Sequence, residues 1–158
     1  MPTQSFRRIL ELLEQYGVEY VVVGGVAAVL QGAPVTTFDL DALIKIDPEN
    51  IGKVVGVLAA LDARYREQRE LRPSREDVAA GGHMLLITDS GPFDVLGFIG
   101  GGRRYEDVAP SAIELDVGDL TIKVLSLAAL IEEKKGLGRD KDLAIVKLLE
   151  AVLARKGQ

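Results

Sequence analysis

Three aspartates, Asp39, Asp41 and Asp94, are placed so that a folded chain could present them to one ligand. Asp39 and Asp41 begin the apolar segment DLDALIKI, and Asp94 interrupts the apolar run FDVL. Side chains at positions i and i+2 of a strand share one face, so the first two carboxylates would lie together. Adjacent carboxylates repel each other unless water or a cation relieves the repulsion, and magnesium prefers oxygen ligands. The pattern therefore predicts a site for one or two divalent metal ions.

The same aspartates also have a simpler interpretation. Asp-x-Asp pairs are common, and Asp39 and Asp41 would serve equally well as caps of a turn before the strand. Asp94 would need no ligand on an edge strand where it faced water, whereas a charge inside an apolar strand is costly unless it is paired or binds a metal. The sequence leaves both interpretations open.

Two adjacent glycines, Gly24 and Gly25, separate a short β-branched run from a predicted small-residue helix. A turn without side chains allows close backbone approach and leaves N–H groups free at the start of the helix, where phosphate is a common ligand. A tight turn with no ligand is the alternative. Neither the P-loop spacing nor the dinucleotide-binding glycine pattern is present, so the site would belong to neither class.

The apolar periodicity predicts an α/β (α+β) domain that spans residues 1–158, with a mixed β-sheet and helices packed on it. Strands are predicted over residues 20–23, 39–46, 83–88, 93–99, 111–117 and 119–124. Helices are predicted over residues 5–16, 26–31, 126–135 and 139–155, and another begins at Pro48. The charged segment 64–80 is predicted to be irregular or to hold a short helix. These elements give a core at about residues 17–125 and a C-terminal helical tail at about residues 126–156.

The composition excludes several classes of site. The chain has no cysteine, which rules out disulfides, thiol catalysis and cysteine-ligated zinc. Its formal net charge of -5 argues against broad nucleic-acid binding, which needs a basic face. No apolar stretch reaches the length of a membrane span and the first residues do not resemble a signal peptide, so we expect a soluble, cytoplasmic protein without membrane association. A solvated face is the simplest interpretation of the crowded arginines Arg64, Arg66, Arg69, Arg72 and Arg75.

The segment from Val22 to Asp41 resembles the signature of the nucleotidyltransferase superfamily, which includes the polymerase-beta-like enzymes. Members of that family carry Gly-Gly or Gly-Ser, a spacer, Asp-x-Asp on a strand and a third acid on a later strand; Gly24-Gly25, Asp39-x-Asp41 and Asp94 match. The chain is similar to small prokaryotic members related to the AbiEii-type toxins and to the minimal enzymes of toxin–antitoxin pairs. Their tail pattern is similar to the stretch from Leu127 to Asp142.

The resemblance implies transfer of a nucleoside monophosphate from a nucleoside triphosphate to an acceptor hydroxyl, with release of pyrophosphate. Asp39 and Asp41 would hold Mg²⁺ (or Mn²⁺) against the triphosphate. Asp94 would complete the second metal site and help to deprotonate the acceptor, which would be a small molecule, an RNA end or a protein.

The resemblance also implies supporting roles for several other residues. The backbone N–H groups of Gly24 and Gly25 would hold the outer phosphates, and Thr37 would orient the first aspartate. Phosphate charge would be neutralised by cations of the C-terminal helices, namely Lys134, Arg139 and Lys141. The simpler interpretation of Thr37 is a strand-edge residue, and that of the cations is an ordinary helix end.

Two positions depart from the family pattern. Relatives often carry an arginine two residues before the threonine, where this chain has Val35, and many polymerase-like enzymes have a serine at the position of Gly25. The alternative function is therefore a catalytically weak or inactive nucleotide- or partner-binding module, either alone or with a small helical partner of the toxin–antitoxin type. A different α/β domain with capping aspartates, or a sugar-nucleotide transferase, is a third. His83, the single histidine, is expected to be structural.

Overall fold

The computed structural model describes the backbone of residues 2–156 and the side chains of residues 6–156. Its helices are α1 (Pro2–Gln15), α2 (Gly24–Leu30), α3 (Pro48–Ala60), α4 (Arg75–Ala79), α5 (Tyr105–Val108), α6 (Leu127–Leu137) and α7 (Asp140–Arg155). Its strands are β1 (Tyr20–Val23), β2 (Leu40–Ile44), β3 (Arg64–Tyr65), β4 (His83–Thr88), β5 (Gly91–Leu96), β6 (Ile113–Val117) and β7 (Leu120–Val124). Single 3₁₀ turns lie at Gly100–Gly102 and Ala109–Ser111.

The strands of the described chain form one mixed sheet in the order β3-β4-β5-β2-β1-β7-β6. Strand β2 pairs antiparallel with β1 and parallel with β5, and β1 pairs parallel with β7. The remaining neighbours are antiparallel. The predicted α/β fold with a mixed sheet and packed helices is confirmed. Strands β1, β2 and β5 adjoin one another in the sheet, and these are the strands next to the predicted site residues.

The centre of the sheet is apolar because its sequence is. All four residues of β1 are buried, and in β2 only Asp41 is less than fully enclosed. Such continuous β-branched and aliphatic runs are typical of strands that are covered on both faces. Helix α3 packs against both α1 and α4, whereas α6 packs against α7 and also contacts α2.

Asn50 joins the start of α3 to the central strands. Its side chain is 1% exposed, accepts a hydrogen bond from the Glu19 backbone N–H at 2.7 Å, and donates to the carbonyls of Glu19 and Lys45 at 3.0 and 2.7 Å. Helix α3 is itself started by Pro48 at its first position and by the Asp47 carboxylate, which accepts from the Asn50 N–H. One side chain thus satisfies backbone groups at the edges of both β1 and β2.

Several boundaries differ from the prediction. Strand β2 begins at Leu40 rather than Asp39, so Asp39 lies in the loop before it. Strand β5 begins and ends earlier than residues 93–99. The segment 64–80 contains both a strand, β3, and a short helix, α4, which starts with a capping box between Ser74 and Asp77. Helix α5 was not predicted. None of the helices in residues 2–156 combines the length and apolarity that crossing a bilayer requires.

Replacing Asn50 by alanine is expected to lower the free energy of unfolding by about 2–4 kcal/mol, because three buried backbone groups lose their partner. Urea denaturation followed by far-UV circular dichroism measures this change. Gln68→Ala, at an exposed position, is the control and is expected to stay within about 0.5 kcal/mol of the wild type. Equal effects of the two substitutions would contradict the role given to Asn50.

Candidate active site

Asp41 and Asp94 lie side by side because β2 and β5 pair in parallel with these two residues in register. Asp39, two residues before Asp41, brings the third carboxylate, and one oxygen of each group lies within 4.8 Å of the other two. The structure thus assembles the three predicted residues at one point. Strand β5 lies between β2 and β4, so the interpretation of Asp94 as an edge-strand residue is wrong. We call Asp39, Asp41 and Asp94 the carboxylate cluster.

The carboxylate cluster is partly removed from water. Asp94 is 7% exposed, and one oxygen of Asp41, Oδ1, is buried without a hydrogen-bond partner. Burial, followed by the charges of Asp39 and Asp94, raises the pKa of Asp41 to about 8. Burial also raises the pKa of Asp94, with a further contribution from Asp39 that is opposed by Arg66. Buried like charges with an unpartnered oxygen are the environment that a hard divalent cation would stabilise, so the residues present fit such an ion.

Gly24 and Gly25 are required by close packing against the cluster and its loop. Gly24 has φ of +68°, and a Cβ at this position would lie 2.4 Å from Oδ2 of Asp41. A Cβ at Gly25 would lie 2.7 Å from the hydroxyl of Thr37. No side chain caps the N–H groups at the start of α2. The two glycines therefore let the backbone at the end of β1 approach the carboxylates directly.

Thr37 lies in the loop that carries Asp39. Its hydroxyl donates a hydrogen bond to the backbone carbonyl of Asp39 at 3.2 Å, and its carbon atoms pack on Gly25. The contact is with the main chain of Asp39, so Thr37 positions the loop rather than the carboxylate itself.

Two of the three predicted phosphate-binding cations, Lys134 and Arg139, are placed differently. Lys134 lines a cavity of about 210 Å³ together with Gly24 and Asp41, so α6 brings it to the site. Arg139 is not among the residues that line this cavity. Its guanidinium binds Asp142 of α7, at 2.5 and 3.3 Å, and Asp142 is 2% exposed. The Lys134 ammonium lies 3.6 Å from the same carboxylate, so Asp142 connects the two cations.

Arg66 is a site residue that the sequence did not reveal, and its interpretation as part of a solvated face is wrong. Its Nη2 lies 2.5 Å from Asp94 Oδ1 and 3.0 Å from the carbonyl of Leu86, and its Nη1 lies 4.0 Å from Asp39 Oδ2. The Arg66 N–H bonds to the Leu85 carbonyl, and Leu85 is the register partner of Asp94. The alignment of Arg66 with Asp94 is visible only from the pairing of the strands. The charged sequence around Arg66 contains no pattern that predicts it.

His83 lines the cavity of about 210 Å³ that Lys134 and Asp41 also line, and it is not part of the core. It is exposed, its Nε2 lies 3.1 Å from the Phe98 carbonyl, and the two rings are 4.5 Å apart between centroids. Both residues also line an adjoining cleft of about 590 Å³ between the Gly100–Gly102 turn and α6, where Arg103 and Glu133 form an ion pair. The space next to the carboxylate cluster is therefore large enough for more than a metal ion.

Comparisons with known proteins agree with this geometry at the level of fold. No protein-family profile matches the chain, and no curated protein sequence matches it. Several solved structures share its fold, among them the following three. A candidate nucleotidyltransferase from Thermotoga maritima, TM1012, is 19% identical, with a TM-score of 0.59 over 92% of this chain and 89% of that one.

The other two structures are of an antibiotic adenylyltransferase and an antibiotic-resistance factor. The lincosamide antibiotic adenylyltransferase LnuA, solved with lincomycin bound, is 17% identical, with a TM-score of 0.62 over 94% of this chain and 96% of its own. The antibiotic-resistance factor ANT(2'')-Ia is 14% identical, with a TM-score of 0.63 over 97% and 86%. The chain therefore has the fold of nucleotidyltransferases. At these identities the similarity shows the fold alone, so the nucleotidyltransferase superfamily and its AbiEii-type or toxin–antitoxin subtype stay predictions.

Gly24→Ala is expected to lower the free energy of unfolding by about 1–3 kcal/mol, because the added Cβ meets Asp41 and the positive φ is strained for alanine. Gly136→Ala is the matched control. Gly136 lies inside α6 with no atom near the added Cβ, so there the same change is expected to stabilise the protein by about 0.5–1 kcal/mol. Thermal and urea denaturation measure both, and substitutions that shift stability in the same direction would contradict the close approach at Gly24.

Asp41→Asn is expected to stabilise the metal-free protein at pH 8 and to have little effect at pH 4. The pKa of Asp41 is raised from 3.8 to about 8, so between these values the folded state binds more protons than the unfolded state. Wild-type stability therefore falls as the pH rises through this window, and asparagine removes that loss, which we expect to be roughly 1–3 kcal/mol. Urea denaturation with a metal chelator at both pH values measures the effect. Asp116, an exposed carboxylate on β6, is the control. The same pH-dependent stabilisation in Asp116→Asn would contradict the role given to the raised pKa of Asp41.

Proposed function

We propose that this protein is a metal-dependent nucleotidyltransferase that transfers a nucleoside monophosphate from a nucleoside triphosphate to an acceptor hydroxyl and releases pyrophosphate. The observation that carries the proposal is the carboxylate cluster itself. Three acidic side chains from separate parts of the chain meet within 4.8 Å on a nucleotidyltransferase fold, and a buried Asp41 oxygen lacks a partner. A structural role does not explain why a protein would retain such mutual repulsion.

Asp39, Asp41 and Asp94 would hold the divalent cation, Mg²⁺ or Mn²⁺. When bound, such an ion neutralises triphosphate charge and stabilises the attacking and leaving oxygens of an in-line displacement. The acceptor oxygen forms a bond to the α-phosphorus while the bond to the β-phosphate oxygen breaks, and pyrophosphate leaves. Asp94 is the carboxylate that we assign to receive the acceptor proton, because its position on β5 lies beside the open space near Arg66 and His83.

The remaining residues would bind the triphosphate and position the metal ligands. The N–H groups of Gly24 and Gly25 and the Lys134 ammonium are the groups we assign to the phosphates, since Gly24 and Lys134 line one cavity with Asp41. Arg139 acts on Lys134 through Asp142 and is a positioning residue. Thr37 fixes the Asp39 loop.

The acceptor class is a small molecule, an RNA end or a protein hydroxyl. One of the structurally similar proteins is a lincosamide antibiotic adenylyltransferase solved with lincomycin bound, and another is an antibiotic-resistance factor, so small molecules are the first class to test. A nucleotide- or partner-binding module with weak or no catalysis, with or without a small helical partner, is the second candidate function. It is favoured by Val35 at the position where relatives often have an arginine.

Transfer is tested with nucleoside triphosphates labelled at the α-phosphate, Mg²⁺ or Mn²⁺, and pools of hydroxyl-bearing small molecules, RNA and protein. Label on an acceptor together with pyrophosphate release is the expected result. Asp39→Asn and Asp94→Asn are expected to lower the rate by about 10²–10⁴-fold, as loss of a group that stabilises transition-state charge does. Asp116→Asn is the matched control and is expected to retain wild-type activity.

The other outcomes are equally informative. Metal-dependent nucleotide binding without transfer would support the binding module. Transfer that persists in both cluster variants would contradict the proposed site, because the activity would then come from elsewhere.

A further inference from the structure

Arg66, the residue that follows strand β3, places a positive charge against the carboxylate cluster. Its guanidinium binds Asp94 at 2.5 Å and comes within 4.0 Å of Asp39, so it contacts two of the three carboxylates that a divalent cation would need. The Asp94 side chain is 10% exposed and that of Arg66 is 30% exposed. An ion pair in so enclosed a position interacts more strongly than one on the surface.

The guanidinium is held but not fully satisfied in this position. Its Nη2 also donates to the Leu86 carbonyl at 3.0 Å, whereas its Nε is buried without a hydrogen-bond partner. A buried donor without a partner costs free energy. The unpartnered Nε therefore lowers the free energy needed to move Arg66 from Asp94 to a position where all its donors are bonded. A purely structural ion pair would be expected to satisfy this donor as well.

There is also room for the side chain to move. A cleft of about 440 Å³ adjoins Arg66 and is lined by Tyr65, Glu67, Gln68, His83 and Leu85. Arg66 itself follows the two-residue strand β3 at the edge of the sheet. A rotamer change of one long side chain, without any change of fold, would take the guanidinium from Asp94 into this cleft.

We propose, on the basis of the proposed function, that Arg66 is a resident counter-ion that competes with free divalent cations for the carboxylate cluster and moves to the triphosphate when a metal–nucleotide complex binds. In the metal-free protein Arg66 offsets the repulsion among the carboxylates. A free divalent ion has to displace it and leaves it without an anionic partner. A metal–triphosphate complex displaces it too, but supplies phosphate oxygens that a guanidinium binds through paired hydrogen bonds.

The consequence is selectivity for the metal–nucleotide complex over the free metal. Metal and nucleotide affinity become coupled through one side chain, and such coupling is reciprocal between the two ligands. This competition is a property of Arg66 and can be measured without turnover.

The test is calorimetric titration of Mn²⁺ into wild-type protein, Arg66→Met and Arg66→Lys, with and without a triphosphate whose α,β-bridge is non-hydrolysable. Arg66→Met is expected to bind Mn²⁺ alone about tenfold more tightly than the wild type, and the Mn²⁺–nucleotide complex about tenfold less tightly, as for loss of one close charge partner. Arg66→Lys keeps the positive charge but lacks the paired N–H donors of the guanidinium. We therefore expect its affinity for Mn²⁺ alone to remain near that of the wild type.

Arg64→Met is the matched control. Arg64 lies two residues before Arg66, on β3, but its guanidinium bonds to the Arg69 carbonyl and lies 3.7 Å from Asp62. Its Mn²⁺ affinity is expected to equal that of the wild type. Because Arg66→Met removes a bond to Leu86 and could unfold the protein, a second measurement uses the wild type alone. The ¹⁵N resonance of the Arg66 Nε, assigned by its loss in Arg66→Lys, is expected to shift when Mg²⁺–nucleotide is added.

The outcomes separate this inference from the proposed function. If the wild type binds the metal–nucleotide complex but Arg66→Met binds Mn²⁺ alone no more tightly than the wild type, or the Nε resonance does not move, the counter-ion role is wrong while the nucleotidyltransferase proposal stands. If the wild type binds neither Mn²⁺ nor the complex, both are wrong.

Discussion

The parallel register of β2 and β5 is the constraint on which the site depends. It places the carboxylates of Asp41 and Asp94 on neighbouring strands at the same level, inside the sheet rather than at its edge. Like charges at that depth are unfavourable, and the pKa of Asp41 is accordingly raised. Arg66 and the close glycine turn arrange the surroundings of these two carboxylates. The fold thus holds a destabilising arrangement in place by means of an otherwise apolar centre, as functional sites commonly do.

The surroundings of the cluster are built from backbone as much as from side chains. Gly24 removes the atom that would collide with Asp41, and Gly25 leaves room for Thr37, which holds the main chain of Asp39. Lys134 then approaches from α6 through a carboxylate, Asp142, that it shares with Arg139. Two helices beyond the sheet are therefore part of the site, and the fold similarity to nucleotidyltransferases covers them because it spans nearly the whole chain.

The sequence predicted the fold class because apolar runs mark most of the strands, and it grouped Asp39 with Asp41 by their spacing. Asp94 was grouped with them as a charge inside an apolar run and by the family resemblance, since its meeting with Asp41 depends on the non-local pairing of β2 with β5. The placement of Arg66 depends on β3, a two-residue strand whose pairing with β4 has no local signature. The different surroundings of Lys134 and Arg139 follow from how α6 and α7 pack, since both residues look alike as cations at a helix end. His83 was expected to be structural, and its position in the cavity, which α6 also lines, depends on packing that the sequence does not show.

Asn50 has a consequence beyond stability. Its three hydrogen bonds fasten the backbone beside β1 and β2 at the end of those strands away from Asp41, which pairs with Val23 at the opposite end of the register. The two strands are thus clamped at one end, while at the other they separate into the Gly24 turn and the Asp39 loop. Protection from hydrogen exchange should accordingly be graded along β1, strongest near Tyr20 and weakest toward Val23. The part of the sheet that carries the carboxylate cluster is then also the part with the most freedom to adjust.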